Sequence, residues 1–329
     1  MISISQKSKM KKVPKFWYVK YHIFSILLSP VSLFYNIIHK IYYKLSSEIK
    51  ISIPTICVGN LVVGGAGKTP VVIELRKLLS KNYNSIFVLL RGYRRSSSKA
   101  KIVDINDEPE AVGDEAILHK KYGQVCVAKD RKEGANLCIQ NKADLLILDD
   151  GFQSKHIKKD ISLIVCDTLN QFGNTKIFPA GPLRESIDFG LSRADALILI
   201  NNSKNNFELK FPIGLPIFNA KKKIIIPKLK TKNIIAFCAL GSPENFYNSL
   251  IENGLIIKHK KTFPDHHFYS DKEINQIINL AEKNNLEIVT TEKDITKVGR
   301  KFEKKIKATK LEIIFKSKQS LKNFLEERI

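Results

Sequence analysis

The stretch "VGNLVVGGAGKTP", residues 58–70, follows a continuous apolar run and precedes a stretch with helical periodicity. Its glycines Gly64, Gly65 and Gly67 therefore fall between a predicted strand and a predicted helix. Glycine tolerates positive φ, which lets successive backbone N–H groups point at a bound anion. The N-terminus of the helix adds the positive end of its dipole. This order of elements predicts a phosphate-binding loop.

The loop departs from the usual nucleotide-binding pattern at one position. A G-x-x-x-x-G-K-[ST] pattern that ends at Gly67, Lys68 and Thr69 requires glycine at residue 62, where this chain has Val62. In such loops the lysine carries charge to the β- and γ-phosphates, and the threonine hydroxyl serves Mg²⁺. A glycine turn with a surface lysine is the alternative. The strand, loop and helix context favours a nucleotide site with a variant sequence.

The runs around the loop predict an α/β fold with a parallel sheet. Continuous apolar runs alternate with helical periodicity, which is typical of a sheet covered on both faces. Strands are predicted at residues 51–58, 85–90, 124–128, 143–149, 161–166 and 196–200. These strands and the loop indicate a P-loop NTPase-like domain over residues 51–215.

A second, smaller α/β domain is predicted over residues 216–329. A polar, proline-containing stretch near 201–232 separates it from the first domain, and the alternation of strands and helices then resumes. Ser242, Pro243 and Glu244 are a helix-start signal. The other predicted elements are strands at 234–239, 255–258 and 287–291 and a helix at 271–284.

The first 50 residues form a basic and apolar N-terminal segment with nine lysines and one glutamate. Residues 21–39 are uncharged and about as long as the roughly 20 residues that cross a bilayer. Pro30, several polar side chains, and the flanking tyrosines and lysines favour a proline-broken helix pair on the membrane surface. A core helix of the soluble domain and a true membrane span are the alternatives.

Charge and cysteine content narrow the class of protein. The chain has 329 residues, with 55 Lys and Arg against 32 Asp and Glu, and a formal net charge of +23. This charge suits an anionic partner such as nucleic acid, an anionic membrane or a phosphorylated substrate. The five cysteines show neither CxxC nor Cys/His spacing, so no zinc site is expected. Scattered thiols in apolar runs indicate a reducing, cytosolic compartment.

A pair of carboxylates supports the nucleotide site. The run "ADLLILDDGFQ", residues 143–153, ends a predicted strand with Asp149 and Asp150. Ligands of parallel sheets bind at the carboxyl ends of the strands, and one such carboxylate holds Mg²⁺ in phosphate-loop enzymes. The residues alone leave open which of the two contacts the metal.

Other motifs are individually weaker. "RGYRR" (91–95) follows a predicted strand, which would place Arg91 and Tyr93 in the same crevice as the loop. The alternative is a basic surface turn. "VGDEA" (112–116) starts a helix, where capping is the default interpretation. "FPDHH" (263–267) in isolation is typical of surface residues, and "TTEKD" (290–294) of a solvated turn. "PAGPLRE" (179–185) is a stiff turn that ends in Arg184 and Glu185.

Taken together, these motifs resemble the tetraacyldisaccharide 4'-kinase (lipid A 4'-kinase) family of Gram-negative bacteria. The matching stretches are "VGNLVVGGAGKTP", "RGY", "VGDE", "LDDGFQ", "FGN" before "PAGPLRE", "FPDHH" and "TEKD", in the order of the family and spanning residues 58–294. The family's own loop lacks the glycine that Val62 replaces. The resemblance implies transfer of the γ-phosphate of ATP, with Mg²⁺, to the 4'-hydroxyl of tetraacyldisaccharide 1-phosphate, which yields lipid IVA in lipid A biosynthesis. It also implies attachment to the cytoplasmic face of the inner membrane through the N-terminal segment.

The resemblance also implies roles for individual residues. Asp114 paired with His266 accepts the proton of the attacking hydroxyl, Lys68 and Arg184 stabilise phosphoryl charge, and Arg91, Tyr93 and Glu115 line the acceptor side. The candidates for binding Mg²⁺, directly or through water, are Thr69, Asp150 and Glu185, and Asp149 is expected to contact these ligands rather than the metal. The nucleotide is expected to contact Asn60, Gly64, Gly65, Ala66, Gly67, Lys68, Thr69 and Gln153.

One departure from the family lies next to this site. The histidine that usually follows the glutamine of "DDGxQ" is Ser154 here, and His156 is expected to point elsewhere. Two other classes of protein compete with the kinase: a nucleotide-hydrolysing enzyme that drives a partner, and a basic module that binds membranes or nucleic acid. The first lacks a guanine-reading N-K-x-D element at a strand end. The second leaves the acidic strand ends unexplained, so no nucleic-acid partner is expected.

Overall fold

The computed structural model describes residues 14–92, 95, 97–169, 171–201 and 214–329. The described chain divides into two compact units. The larger unit contains Pro14–Lys223 and Glu312–Ile329, and the smaller unit contains Ile224–Leu311. Tyr93, a predicted substrate contact, lies outside the described residues.

The strands are short and mostly buried. They are β1 (Thr55–Gly59), β2 (Ile86–Leu90), β3 (Lys101–Ile102), β4 (Gln124–Val127), β5 (Leu145–Asp149), β6 (Ile161–Asp167), β7 (Ala196–Ile200), β8 (Ile217–Ile225), β9 (Asn233–Cys238), β10 (Ile256–Thr262), β11 (Glu287–Thr291) and β12 (Ile306–Phe315).

The α-helices alternate with these strands, and short 3₁₀ helices cover Lys15–Tyr18 and Arg300–Lys305. The α-helices are α1 (Ile23–Leu27), α2 (Ser29–Leu45), α3 (Lys68–Leu79), α4 (Pro109–Val112), α5 (Asp114–Lys120), α6 (Arg131–Gln140), α7 (Ile187–Leu191), α8 (Pro243–Glu252), α9 (Asp271–Lys283), α10 (Glu292–Ile295) and α11 (Lys318–Glu326).

The larger unit is built on a mostly parallel sheet with the strand order β8-β7-β6-β1-β5-β2-β4-β3. Only β3 among these described strands pairs in the antiparallel sense, with β4. Successive residues of β1 enter different cores, since Ile56 and Val58 belong to one apolar cluster and Cys57 to the other. Strands buried on both faces explain the continuous apolar runs. The predicted α/β fold with a parallel sheet is therefore confirmed.

Strand order places the phosphate loop beside the acidic strand end. Strand β1 pairs with β5, with Val58 opposite Asp149, so the loop after β1 and the carboxylates after β5 leave the sheet at the same edge. Helix α3 then packs back on the sheet through Val72, Leu75 and Leu79, which are fully buried.

The strands of the smaller unit pair in the parallel sense, in the order β10-β9-β11-β12. Two apolar clusters cover their faces, with Ile235 and Phe237 of β9 in one and Ile234 and Ala236 in the other. Helix α9 begins with a capping box in which Ser270 and Glu273 exchange hydrogen bonds.

The unit boundaries differ from the predicted ones. Residues 312–329, predicted in the smaller domain, belong to the larger unit because Phe315, Leu321 and Leu325 bury their side chains in its core. The division between the units falls after Lys223 rather than after residue 215. Strands β8 and β12 were missed because lysines interrupt their apolar pattern.

The N-terminal segment forms a pair of helices, α1 and α2, which belongs to the larger unit. Pro30 lies in the first turn of α2, where the break was predicted. Tyr21, Phe34 and Leu45 are strongly exposed, at 82%, 66% and 79%. Within the described ranges, no helix has both the length and the hydropathy that crossing a membrane requires.

Candidate functional site

The loop between β1 and α3 adopts the backbone that its glycines predict. Gly64 and Gly67 have φ of 112° and 86°, values that disfavour other residues. A Cβ atom at Gly67 would also lie 2.9 Å from Cδ1 of Ile200, whereas Gly64 and Gly65 face open space. The loop therefore combines a crowded base at Gly67 with an accessible outer side. Ala66, between Gly65 and Gly67, is buried.

The first half of the loop is braced by the "PAGPLRE" turn. Val62 forms an antiparallel bridge with Leu183. The N–H of Val63 donates to the carbonyl of Pro182 at 2.8 Å, and the N–H of Arg184 donates to the carbonyl of Leu61 at 2.8 Å. Residue 62 therefore lies in a strand-like ladder that needs no positive φ, which explains why valine replaces glycine there.

Asn60 and Gln153 connect the loop to the neighbouring acidic turn. Asn60 is fully buried, and its Nδ2 donates to the carbonyl of Gly64 at 3.4 Å. Nε2 of Gln153 donates to the carbonyl of Asn60 at 2.9 Å and to Oε1 of Glu185 at 3.0 Å. Both residues were predicted nucleotide contacts, and the structure gives them a role in shaping the loop.

Lys68 and Arg184 converge on Asp150. Nζ of Lys68 lies 3.5 Å from Oδ1 of Asp150. Arg184 donates from Nη1 to Oδ1 at 2.8 Å and from Nη2 to Oδ2 at 3.1 Å. Burial alone would raise the pKa of Asp150, but the positive charges of Lys68 and Arg184, hydrogen bonding from Arg184 and the charge of Arg131 lower it to about 2. Asp150 is thus a carboxylate engaged by cations.

Asp149 occupies a different environment at the end of β5. Oγ1 of Thr69 lies 3.3 Å from its Oδ2. Nε2 of His119 lies 2.9 Å from the same oxygen, and the His119 side chain is fully buried. His119 could not be predicted from the sequence, because a lone histidine on a helix carries no motif.

Two further groups near the loop were also missed. Arg131 is buried and donates from Nη2 to the carbonyl of Asp150 at 2.8 Å. Lys222 of β8 forms an ion pair with Asp167, and its Cε lies 3.4 Å from the position of a Cβ at Gly67. Both come from distant parts of the chain and only the folded sheet brings them to the loop.

Asp114 begins helix α5 and is buried at its first position. Its Oδ1 accepts a hydrogen bond from the N–H of Glu115 at 2.9 Å. Glu115 is partly exposed, and Arg91, just after β2, is exposed. The N-cap of this helix is Gly113, without a side-chain cap hydrogen bond, so Asp114 stabilises the helix start through its negative charge in the first turn.

Glu185, one of the expected metal ligands, is engaged by other side chains. It is fully buried and forms an ion pair with Arg193. The Arg193 guanidinium also packs against the rings of Tyr43, Phe152 and Phe189, at 4.3, 4.6 and 4.4 Å from their centroids. This geometry makes Glu185 a support of the turn that carries Arg184.

His266 belongs to the smaller unit, and Asp114 to the larger one. Within its own unit His266 has a positive φ of 59°. Its Nε2 lies 3.4 Å from Nζ of Lys293 and 3.9 Å from Oδ2 of Asp265. A non-glycine residue in this conformation is uncommon and marks a constrained position.

The interpretation of "TTEKD" as a solvated turn is wrong. Asp294 is fully buried and accepts hydrogen bonds from Tyr269 at 3.0 Å and from the N–H of Ala239 at 3.2 Å. Lys297 forms a buried ion pair with it at 2.8 Å. The sequence pattern shows the polar residues but not the tertiary partners that let them be buried.

The residues around Ser154 match the expectation for His156. Nε2 of His156 lies 3.5 Å from the hydroxyl of Tyr42 on α2, away from the loop. Ser154 accepts a hydrogen bond from Lys159 through its carbonyl. A serine hydroxymethyl group therefore stands where the family usually has an imidazole.

The residues near the loop fit a magnesium ion held together with nucleotide phosphates. Mg²⁺ in such sites keeps several waters and uses one or two carboxylates plus phosphate oxygens. Thr69 and Asp149, 3.3 Å apart, offer a hydroxyl and a carboxylate of this kind. Over the described part of the chain, no group of three or more His, Cys, Asp or Glu forms a metal cage. The donor set therefore suits a metal that arrives with a nucleotide.

Comparisons with known proteins identify the family of this chain. Residues 24–329 match the family described as LpxK: Tetraacyldisaccharide-1-P 4'-kinase. Tetraacyldisaccharide 4'-kinase of Rickettsia canadensis is 37% identical over 286 residues, which cover 86% of this chain and 87% of that protein. The protein of the same name from Paramagnetospirillum magneticum is 38% identical over 291 residues, covering 86% and 88%.

The fold is also similar to a solved structure. LpxK from Aquifex aeolicus in complex with ATP has a TM-score of 0.79 and 29% sequence identity, with 92% of this chain and 98% of that chain covered. The family match and the curated relatives both extend over most of the sequence. The chain therefore belongs to the tetraacyldisaccharide-1-P 4'-kinase family.

Proposed function

We propose that this chain transfers the γ-phosphate of ATP to the 4'-hydroxyl of tetraacyldisaccharide 1-phosphate, yielding lipid IVA. One observation carries the proposal. Two cations, a hydroxyl and two carboxylates meet where β1 and β5 leave the sheet, namely Lys68, Arg184, Thr69, Asp149 and Asp150. Phosphoryl transfer depends mainly on positioning and on neutralising charge, and this cluster offers both.

The backbone of the loop and Lys68 are proposed to hold the phosphates of ATP, and Arg184 to stabilise charge on the transferred group. Thr69 and Asp149 are proposed to hold Mg²⁺, which neutralises charge on the phosphate oxygens. In contrast to the expectation from the sequence, Asp149 is preferred to Asp150 as the metal ligand, because it lies beside Thr69, whereas Asp150 is engaged by two cations. Glu185 is assigned a supporting role because Arg193 occupies it.

Asp114 is proposed as the group that accepts the proton of the attacking hydroxyl, and His266 as a second participant in proton transfer. A carboxylate and an imidazole are both common general bases. Asp114 is buried, which shields the transferred proton from bulk water. Arg91 and Glu115 are proposed to contact the acceptor, whose 1-phosphate suits a basic chain.

The N-terminal helices are proposed to lie on the cytoplasmic face of the anionic inner membrane. Ile23, Phe24 and Leu27 of α1 and Phe34 of α2 are exposed in spite of their apolar side chains. Several exposed apolar side chains on one pair of helices are typical of an interaction surface. Lys20, Lys40 and Lys44 next to it suit anionic head groups.

The test is transfer of labelled phosphate from ATP to tetraacyldisaccharide 1-phosphate in detergent with Mg²⁺. The expected result is labelled lipid, and none with an acceptor whose 4'-hydroxyl is already phosphorylated. A folded chain that hydrolyses ATP without labelling the lipid contradicts the proposal and favours the nucleotide-hydrolysing alternative.

A further inference from the structure

His119 contacts the proposed metal site without belonging to any of its motifs. Its Nε2 lies 2.9 Å from Oδ2 of Asp149, the same oxygen that Thr69 contacts at 3.3 Å. Because a carboxylate oxygen accepts hydrogen bonds, Nε2 is the donor. Nδ1 of His119 is buried and has no hydrogen-bond partner among the described residues. The imidazole is therefore oriented by one strong polar contact, with Asp149.

The backbone of the same residue is anchored to the helix of the phosphate loop. Nη1 of Arg76, on α3, donates to the carbonyl of His119 at 3.2 Å, and Arg76 also donates to the carbonyl of Ile86 at 3.3 Å. Helix α3 begins with Lys68 and Thr69. His119 is thus attached to α3 through its carbonyl and to β5 through its side chain.

Helix α5 also carries the proposed proton acceptor. Asp114 is its first residue and His119 lies in its last turn, about 7.5 Å apart along the helix axis at 1.5 Å per residue. A contact that fixes His119 therefore fixes the distance between the helix that presents Asp114 and the strand that presents Asp149.

We infer that His119 is a positioning residue that orients the Asp149 carboxylate for Mg²⁺ and locks helix α5 against strand β5. Groups of this kind, one step behind a metal ligand, typically change metal affinity or activity about 10- to 100-fold when removed. The inference rests on the proposed function, since it assigns the metal to Thr69 and Asp149.

The test compares ATP affinity with Mg²⁺ and with EDTA, by calorimetry, for the native chain, His119→Leu and His119→Gln. His119→Leu removes the donor, and we expect it to weaken Mg²⁺-dependent binding about 10- to 100-fold and to leave binding in EDTA unchanged. In His119→Gln the amide nitrogen replaces Nε2, so most of the Mg²⁺ effect should return. If His119→Leu loses ATP affinity equally with Mg²⁺ and with EDTA, or if a folded His119→Leu chain loses no affinity, the inference is overturned.

A second pair of variants covers the case in which His119→Leu does not fold. In His119→Asn the amide nitrogen lies nearer to the Nδ1 position. This variant should therefore not restore the Mg²⁺-dependent ATP affinity that His119→Gln restores. Equal Mg²⁺-dependent affinity in these two variants contradicts the inference. A native chain that shows no Mg²⁺-dependent ATP binding and no lipid phosphorylation instead refutes the proposed function, together with the inference that rests on it.

Discussion

Nζ of Lys68 lies 3.5 Å from Oδ1 of Asp150, and Arg184 donates two hydrogen bonds to the same carboxylate. The two cations proposed for the phosphates are therefore held at the loop by one acidic side chain. Phosphate oxygens would compete with Asp150 for both cations. This arrangement keeps Lys68 and Arg184 near the positions where they would meet the phosphates.

Lys68→Met should reduce phosphate transfer about 100-fold or more, because one charge that stabilises the transferring phosphoryl group is lost. ATP affinity should fall as well. Steady-state kinetics and calorimetry measure the two effects. Lys81→Met, an exposed lysine just beyond the same helix, is the matched control and should behave like the native chain. Native turnover in Lys68→Met would remove the lysine from the mechanism.

Asp114→Asn should lower kcat by about 10²- to 10⁴-fold, the usual contribution of a general base. The binding of ATP should remain native because Asp114 is assigned to the acceptor proton. Glu110→Gln, in the preceding helix α4 and exposed, provides the control for loss of a carboxylate nearby. If ATP affinity falls along with kcat, Asp114 serves the nucleotide rather than the acceptor.

Asp150→Asn should make the free energy of unfolding depend less on pH. The pKa of Asp150 is lowered from its ordinary value of 3.8 to about 2, so its ionised form stabilises the fold above the ordinary value and this contribution is lost as pH falls toward about 2. The difference in urea midpoint between native and variant chains should therefore be constant from about pH 7 to 5 and shrink below about pH 4. A difference that grows on acidification would reverse the assignment of the shift.

Arg193→Met should destabilise the larger unit by about 3–5 kcal/mol, because it leaves the fully buried Glu185 without its charge partner. Urea denaturation measures the loss. The double variant Arg193→Met with Glu185→Leu removes both charges and should recover much of it. If the separate effects of Arg193→Met and of a Glu185→Leu single variant simply add in the double variant, the ion pair is not what holds this turn.

Replacing Ile26 and Phe34 by serine should reduce binding to anionic phospholipid vesicles on the order of 100-fold, since each buried side chain of this size contributes about 1.5 kcal/mol or more and each 1.4 kcal/mol changes binding about tenfold. Co-sedimentation measures the bound fraction. Ile105→Ser removes an isoleucine that is equally accessible, at 50% exposed, outside the N-terminal helices, and should bind like the native chain. Unchanged binding of the double variant would assign membrane attachment to another surface.

The α/β pattern, the phosphate loop and the acidic strand end were all readable from the sequence. Each depends on local order along the chain: apolar runs of strand length, glycines between a strand and a helix, and carboxylates directly after a buried strand. The strands β8 and β12 were not readable, because "IFNAKKKII" and "IKATKLEIIF" mix lysines with apolar residues. Their pairing partners, rather than their own composition, make them strands.

By itself the sequence determined the elements that carry Lys68, Thr69, Asp114, Asp149 and Asp150, since their motifs are continuous stretches of chain. Only the tertiary structure decided which partners these groups contact. Asp150 contacts the cations, Asp149 contacts Thr69 and His119, and Glu185 contacts Arg193. Hydrogen bonds and ion pairs act over a few ångströms between residues far apart in sequence. Local patterns predict which groups reach the site, and only packing determines which of them meet.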